Sequence, residues 1–459
     1  MNRFSSSVQS FTSGRHLLLS ELPFPQDLIQ HHLNNGYLQL EDGIRKEGRY
    51  YVCVRCGNRD PQMFASFPCA RCRKFCLYCR CCIMMGRVSE CTPLVSWKGP
   101  PHRSVTSHDL LQWDGRLSKG QLTAARAVQN AVEEKEDLLV WAVCGAGKTE
   151  ILFDGINAAL QKGDRVCIAA PRTDVVLELS PRLKKVFPTV PVTALYGGSP
   201  QRNEYGSLVI STTHQLYRYK EAFDVVIVDE VDAFPYSYDP TLQYAVEKSR
   251  KPSSAMIYLT ATPNERWQRQ CRQGKRKFVS IPARYHRHPL PVPKIRWIGN
   301  WKKSFIKGRI PKELKDWTQK RLTKNKQVLL FFPSVRMMND ALPLFKKLHS
   351  RIEAVHAEDP ARIEKVEGMR RKEIPVMLTT TILERGVTFP NLDVAVVGAE
   401  EMIFDESALV QISGRVGRSA DYPDGEIMFF HYGLTREIIK AIRHIERMNL
   451  EAKKRGLID

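Results

Sequence analysis

The segment WAVCGAGKTE at 141–150 constrains this chain more than any other. Apolar residues at 138–142 read as a buried strand. The loop Gly145-Ala146-Gly147-Lys148-Thr149 follows, and a helix-like run begins near Glu150. A strand feeding a glycine loop and then a helix is a phosphate site. Glycines let backbone N–H groups close on phosphate oxygens, and the helix N-terminus adds partial positive charge. Lys148 supplies a cation for the outer phosphates, and Thr149 offers a hydroxyl to Mg²⁺. Ala142 stands where the usual pattern has its first glycine.

Further motifs follow in order. FDVVIVDEVDAF at 223–234 is an apolar strand running into Asp229-Glu230-Val231-Asp232. A carboxylate at such a strand end holds magnesium, and the next orients and deprotonates the attacking water. Asp229 takes the first role and Glu230 the second. Thr260-Ala261-Thr262 closes another apolar strand. Its hydroxyls either couple the phosphate site to motion or mark a plain strand-to-turn transition. In QISGRVGRS at 411–419, Arg415 and Arg418 lie three residues apart. That spacing predicts one shared helix face and two guanidiniums for a transferring phosphoryl group.

Short apolar runs alternate with longer amphipathic ones, the pattern of an α/β protein. Strands are predicted at 138–142, 166–170, 208–211, 225–229 and 256–260. The rhythm restarts after a basic, Pro-rich stretch at 281–293, with strands predicted at 328–332, 376–380, 394–397 and 427–430. The final segment, 434–459, reads as a basic helix. Two tandem α/β domains result, each a parallel sheet flanked by helices. The predicted boundaries are 1–50 (poorly defined), 51–92 (cysteine module), 93–116 (linker), 117–285 (first α/β domain) and 286–459 (second).

Lys and Arg number 70 against 49 acids, a formal charge of +21. Net charge speaks to partners rather than fold, and here it points to a polyanion, nucleic acid first. No run approaches the roughly 18 apolar residues of a membrane span. The N-terminus lacks the apolar core of a secretory signal. A cytoplasmic protein is expected, with peripheral membrane attachment left open. Residues 301–326 hold ten Lys or Arg against two acids, with Trp301, Phe305 and Trp317 between them. Such aromatics either stack on bases or pack the inner face of an amphipathic helix.

Nine of the twelve cysteines fall between Cys53 and Cys91. In a reducing compartment a dense cluster with two-residue spacers suits tetrahedral Zn²⁺. Spacing alone pairs Cys53/Cys56 with Cys69/Cys72. Enough thiols remain for a second zinc, for example through Cys69, Cys72, Cys76 and Cys91, and Cys81 is a further candidate. A module this small has little core, so metal is expected to supply much of its folding energy. Arg55, Arg71, Arg73, Lys74, Arg80 and Arg87 make it basic, for a nucleic-acid backbone, a partner protein or solvent.

The ordered set Gln121, AVCGAGKT, APR (170–172), STTHQL (211–216), DEVD, TAT, TTTILERGVTFP (379–390) and QISGRVGR resembles superfamily 2 helicases and translocases of the DEAD/DEAH type. DEVD for DEAD and TAT for SAT are mild departures. The resemblance implies two RecA-like domains and an ATP- and Mg²⁺-dependent reaction. It places Gln121 at adenine and Gly145, Ala146, Gly147, Lys148 and Thr149 at the phosphates. Magnesium falls to Thr149 and Asp229, and the γ-phosphate to Arg415 and Arg418. Pro171, Arg172 and Thr212 would lie along the nucleic-acid backbone.

A narrower match lies in CIMMGRV (82–88), WAVCGAGKTE, VDEVDAFPY (228–236) and TTILERGVTFP, which together are similar to the ComFA family. That resemblance implies an ATP-dependent single-stranded DNA translocase driving DNA uptake in bacterial competence. It implies residence at the cytoplasmic face of the membrane, with a membrane DNA channel and other competence proteins as partners. It also favours Cys53, Cys56, Cys79 and Cys82 as the zinc ligands. A duplex-unwinding helicase in repair, and a DNA-binding scaffold with a vestigial site, are the rival readings.

Overall fold

The computed structural model describes residues 4–102, 109–385 and 389–458. The chain packs as two compact units. The first comprises Met1–Arg116, Leu122–Val140 and Thr149–Val279; the second comprises Leu117–Gln121, Trp141–Lys148 and Ser280–Asp459.

A seven-stranded sheet runs in the order Val192–Leu195, Leu208–Thr212, Val166–Ala170, Phe223–Val228, Arg250–Thr260, Asp137–Ala142, Phe278–Ile281. Its first five strands pair in parallel. Val166–Ala170 and Phe223–Val228 are buried at every position. Parallel strands covered by helices on both faces need such unbroken apolar runs rather than alternation. A second sheet is parallel throughout: Lys294–Trp297, Ile427–His431, Leu392–Val397, Gln327–Phe331, Val376–Thr379, Glu353–Val355. The two tandem α/β sheets are thus present. All nine predicted strands appear, with ends shifted by a few residues.

Four strands of these two sheets escaped the sequence pattern. Val192–Leu195, Phe278–Ile281 and Glu353–Val355 are only three or four residues long. Lys294–Trp297 is an exposed edge strand whose ladder to Met428–His431, not apolar content, defines it. The predicted C-terminal helix spans Arg436–Lys454 and buries Ile438, Ala441, Ile445, Met448 and Ala452 along one stripe.

The N-terminal region is more organised than its weak patterning suggests. His16–Leu18 and Leu38–Glu41 flank Leu94–Trp97 in an antiparallel sheet. That sheet packs Leu17, Leu38 and Val95 with Val8, Phe11 and Leu22. The segment read as a linker from 93 therefore opens with the central strand of this sheet, and the cysteine segment is inserted between two of its neighbours. The rest of the predicted linker includes 103–108, which lie outside the described residues.

The basic stretch at 301–326 folds as the helices Trp301–Ile306 and Lys312–Thr323. Trp301 and Trp317 are buried in the second unit's core, and Phe305 packs against it. Trp301 donates to Glu400 (2.7 Å) and Trp317 to Glu426 (3.0 Å). Buried rings are not free to stack on bases, so the amphipathic-helix reading holds here. Trp317→Ala is expected to cost about 3–5 kcal/mol of stability while single-strand affinity of the folded protein stays unchanged. Chemical denaturation and a binding titration on one preparation check this; weaker binding at unaltered stability would restore the stacking role.

Candidate nucleotide site and cysteine centres

The glycine loop leaves the buried strand Asp137–Ala142. Gly145 (φ 81°) and Gly147 (φ 74°) adopt the left-handed backbone that side chains resist. A single 3₁₀ turn, Glu150–Leu152, precedes the helix Phe153–Gln161. The helical run predicted near Glu150 therefore begins as a tighter turn. Ala142 is buried within the strand, upstream of the tight loop, where no left-handed residue is needed. Gln121 is buried, donates to the Ala146 carbonyl (3.0 Å) and accepts from the Ser118 N–H (2.8 Å). Its amide braces the loop in this arrangement rather than standing open as a base reader.

Each remaining candidate of the first sheet follows one of its strands. Asp229 and Glu230 leave Phe223–Val228; Pro171 and Arg172 leave Val166–Ala170; Thr212 ends Leu208–Thr212. In the sheet, Phe223–Val228 is separated from Asp137–Ala142 by Arg250–Thr260 alone. Loops after strands of an open α/β sheet are where such folds bind ligands. The Asp229 N–H donates to Ala169 (2.8 Å), and its carboxylate accepts from the Glu230 N–H (2.8 Å). Glu230 itself has φ 50°, an uncommon conformation for a side-chain-bearing residue. Thr212 and Pro171 are buried and Arg172 is half-buried.

Thr260 and Thr262 both donate to Asp232, at 2.6 and 2.7 Å. The hydroxyls after one strand thus clamp the acidic turn after its neighbour. This is more than a plain strand-to-turn transition, and sequence spacing could not reveal the pairing.

The two candidate arginines do not share a helix face. The helix Glu406–Ser413 ends before them, Gly414 and Gly417 (φ 68°) lie among the turns that follow, and the two guanidiniums bond different carbonyls. Arg415 is buried and donates to the Glu384 carbonyl (2.7 Å); Arg418 donates to the Gly414 carbonyl (2.8 Å). In the TTTILERGVTFP motif, residues 386–388 lie outside the described residues. Sequence reading missed Arg284, which is buried in the second unit. It donates to the carbonyls of Cys144 (3.2 Å) and Gly417. Burial, reinforced by Arg418, lowers its pKa to about 10. The Cys144 thiol donates to the Gln411 amide oxygen Oε1 (3.1 Å). Only the basic, Pro-rich context of Arg284 hinted at a role.

The cysteines form two separate sets. Cys53, Cys56, Cys79 and Cys82 are all buried, with their sulfurs within 4.8 Å of one another. Cys69, Cys72, Cys76 and Cys91 form the other set. The structure does not bring Cys69/Cys72 to Cys53/Cys56. Cys76 and Cys79 lie three apart on the strand Phe75–Cys79 and so face opposite sides of it. In the first set, Cys53–Cys82 and Cys56–Cys79 sulfurs lie 3.7 and 3.6 Å apart. Tetrahedral zinc–thiolate bonds of about 2.3 Å place sulfurs about 3.8 Å apart. The donor set therefore fits zinc. Hydrogen bonds from Cys53, Cys56 and Cys79 drive the Cys82 thiol strongly toward thiolate. Cys81 stands in neither set.

This first set is not a detached bead. Its sulfurs share one core with Cys167, Val226 and Val228 of the first sheet and with Leu242 and Ala245 of the helix Pro240–Ser249. Arg55, expected at the surface, is fully buried and donates to the carbonyls of Met85 (2.9 Å) and Cys82 (2.7 Å). Lys248 of that helix donates to Arg55 O (2.7 Å) and Tyr217 O (3.0 Å), and burial lowers its pKa to about 7. Arg71, Arg73, Lys74, Arg80 and Arg87 are exposed.

Comparison with known proteins gives these features a family. Residues 2–96 match the competence protein ComFA N-terminal domain, 114–265 the type III restriction enzyme res subunit, and 310–420 the helicase conserved C-terminal domain. Competence protein ComFA of Bacillus subtilis is 50% identical over 451 residues, 98% of this chain and 97% of that one. The chain belongs to the ComFA family. Competence protein ComFA of Streptococcus pneumoniae is 38% identical over 377 residues, 82% of this chain and 86% of that one. A solved structure of an S. cerevisiae Dbp5 variant bound to RNA and ADP BeF3 shares the fold, at a TM-score of 0.51 and 12% identity over 77% of this chain and all of that one. The chain is therefore a superfamily 2 helicase-like ATPase of the ComFA family, with two RecA-like α/β domains. Among the described residues no helix is long and apolar enough to cross a membrane.

Because the first thiol set is part of the ATPase core, Cys53→Ser is expected to lower zinc content and also the melting temperature of the first unit. Elemental analysis with calorimetry checks both. Unchanged metal would remove Cys53 as a ligand; a loss of metal without any change in melting would contradict the shared core.

Proposed function

We propose that this protein is an ATP-dependent single-stranded DNA translocase that draws incoming DNA into the cytoplasm during competence. The observation that carries the reading is the convergence of motifs on one sheet. The glycine loop, the acidic turn and the candidate backbone-contacting residues Pro171, Arg172 and Thr212 each follow a strand of the same seven-stranded array. Two competence proteins align with nearly all or most of the chain, and a formal charge of +21 suits a polyanionic track.

In this reading Gly145, Ala146, Gly147 and Lys148 hold the phosphates of ATP, with Gln121 bracing the loop and lying near the base. Thr149 and Asp229 would hold magnesium, whose charge supports phosphoryl transfer when bound. Glu230 orients and deprotonates the attacking water. Arg415 and Arg418 neutralise developing phosphoryl charge, which requires each to exchange a carbonyl partner for the phosphate. Cys53, Cys56, Cys79 and Cys82 hold a structural zinc. The protein works at the cytoplasmic face of the membrane beside a DNA channel and other competence proteins. Support for this placement comes from the family alone.

The test is ATP-driven displacement of streptavidin from end-biotinylated single strands, each end in turn. Wild type should clear streptavidin from one end only while ATP is consumed. Lys148→Ala should lose displacement and turnover together and keep DNA binding. Turnover without displacement from either end would overturn the translocase reading; turnover by the Lys148 variant would overturn the loop assignment.

A further inference from the structure

The second thiol set is built by the chain's own pairing rather than by chance proximity. Phe64–Pro68 and Phe75–Cys79 form an antiparallel hairpin in which Pro68 faces Phe75. Its turn carries Cys69 and Cys72 and is closed by Cys69 N–H to Lys74 O (3.0 Å) and Arg73 N–H to Cys69 O (2.8 Å). Cys76 sits one residue into the returning strand. Cys91 is delivered separately: Tyr78 bridges Ser89, Glu90 N–H donates to Leu77 O (3.0 Å), and Ser89 and Thr92 bond each other at a tight turn. Four sulfurs from three segments then fall within 4.8 Å of one another, with Cys69 and Cys91 3.5 Å apart. None is oxidised to a disulfide.

We infer that Cys69, Cys72, Cys76 and Cys91 hold a second tetrathiolate zinc, which braces the hairpin tip as a contact for single-stranded nucleic acid. Two observations point the same way. A hairpin tip with Cys69 and Cys76 as its most buried members has almost no apolar core of its own, so a metal is what fixes it. The loop it would fix presents Arg71, Arg73 and Lys74, all exposed, beside Phe75, which is 78% exposed. Cations that track phosphates next to an open aromatic face are the elements of single-strand binding. An exposed phenylalanine on an otherwise polar tip has no packing role to explain it.

The zinc part stands by itself; the nucleic-acid part rests on the translocase reading. Zinc is counted on the purified full chain by elemental analysis, and again by release to a chromogenic chelator during titration with a mercurial. Two zinc ions per chain are expected, released in two phases. Cys69→Ser/Cys72→Ser should keep one ion and lose one phase. A single ion in wild type, or two in the double variant, would overturn the second centre; the release assay needs no variant and decides the matter if the double variant does not fold. Phe75→Ala should retain both ions and bind oligo-dT about tenfold more weakly. Unchanged affinity would remove the contact role and leave the zinc. Wild type that binds no DNA at all would sink the translocase reading while the zinc count stood.

Discussion

Four cysteine sulfurs buried beneath a parallel sheet set a charge problem that organises the first unit. With zinc bound as proposed, four thiolates and a divalent cation would leave two negative charges in the core. A buried charge persists only where it is paired. Arg55, fully buried, and Lys248, half-buried, are the cations at this centre; Lys248 belongs to a helix of the ATPase fold and Arg55 to the cysteine knuckle. Lys248 bonds the backbone of the residue that bonds Cys82. The pK of Lys248 falls through burial, while the nearby thiols act to raise it, as expected of a cation held for its anionic neighbours. The cysteine segment is thus covalently an insertion in the N-terminal sheet and energetically part of the ATPase core.

That arrangement separates two kinds of thiol centre on one hairpin. Strand parity sends Cys79 inward to the core and Cys76 outward to the tip. The inner set couples to the ATPase fold and the outer set to an exposed cationic loop. A nucleic-acid contact at the tip would lie one hairpin away from the sheet that carries the nucleotide motifs.

Much of the first sheet was legible because fully buried parallel strands write themselves as apolar runs. The glycine loop and the DEVD turn were legible because phosphate chemistry demands those residues in that order. Other features have no one-dimensional signature. Leu94–Trp97 lies amid Pro and Ser, and only its two antiparallel partners, more than fifty residues upstream, make it a strand. The spacing of Arg415 and Arg418 suggested one helix face, but the chain leaves the helix at Gly414, before either arginine. Arg284 and the Thr260–Asp232–Thr262 clamp depend on tertiary proximity. The basic stretch with Trp301 and Trp317 allowed two readings, and burial decided between them.

Under the translocase proposal, single-stranded DNA governs the nucleotide site of this ComFA-family chain. The most direct measurement is ATP hydrolysis by the full chain with single-stranded DNA, duplex DNA and RNA of matched length. Strong stimulation by single-stranded DNA and little by the other two is expected. Equal stimulation by all three, or none by any, would contradict it.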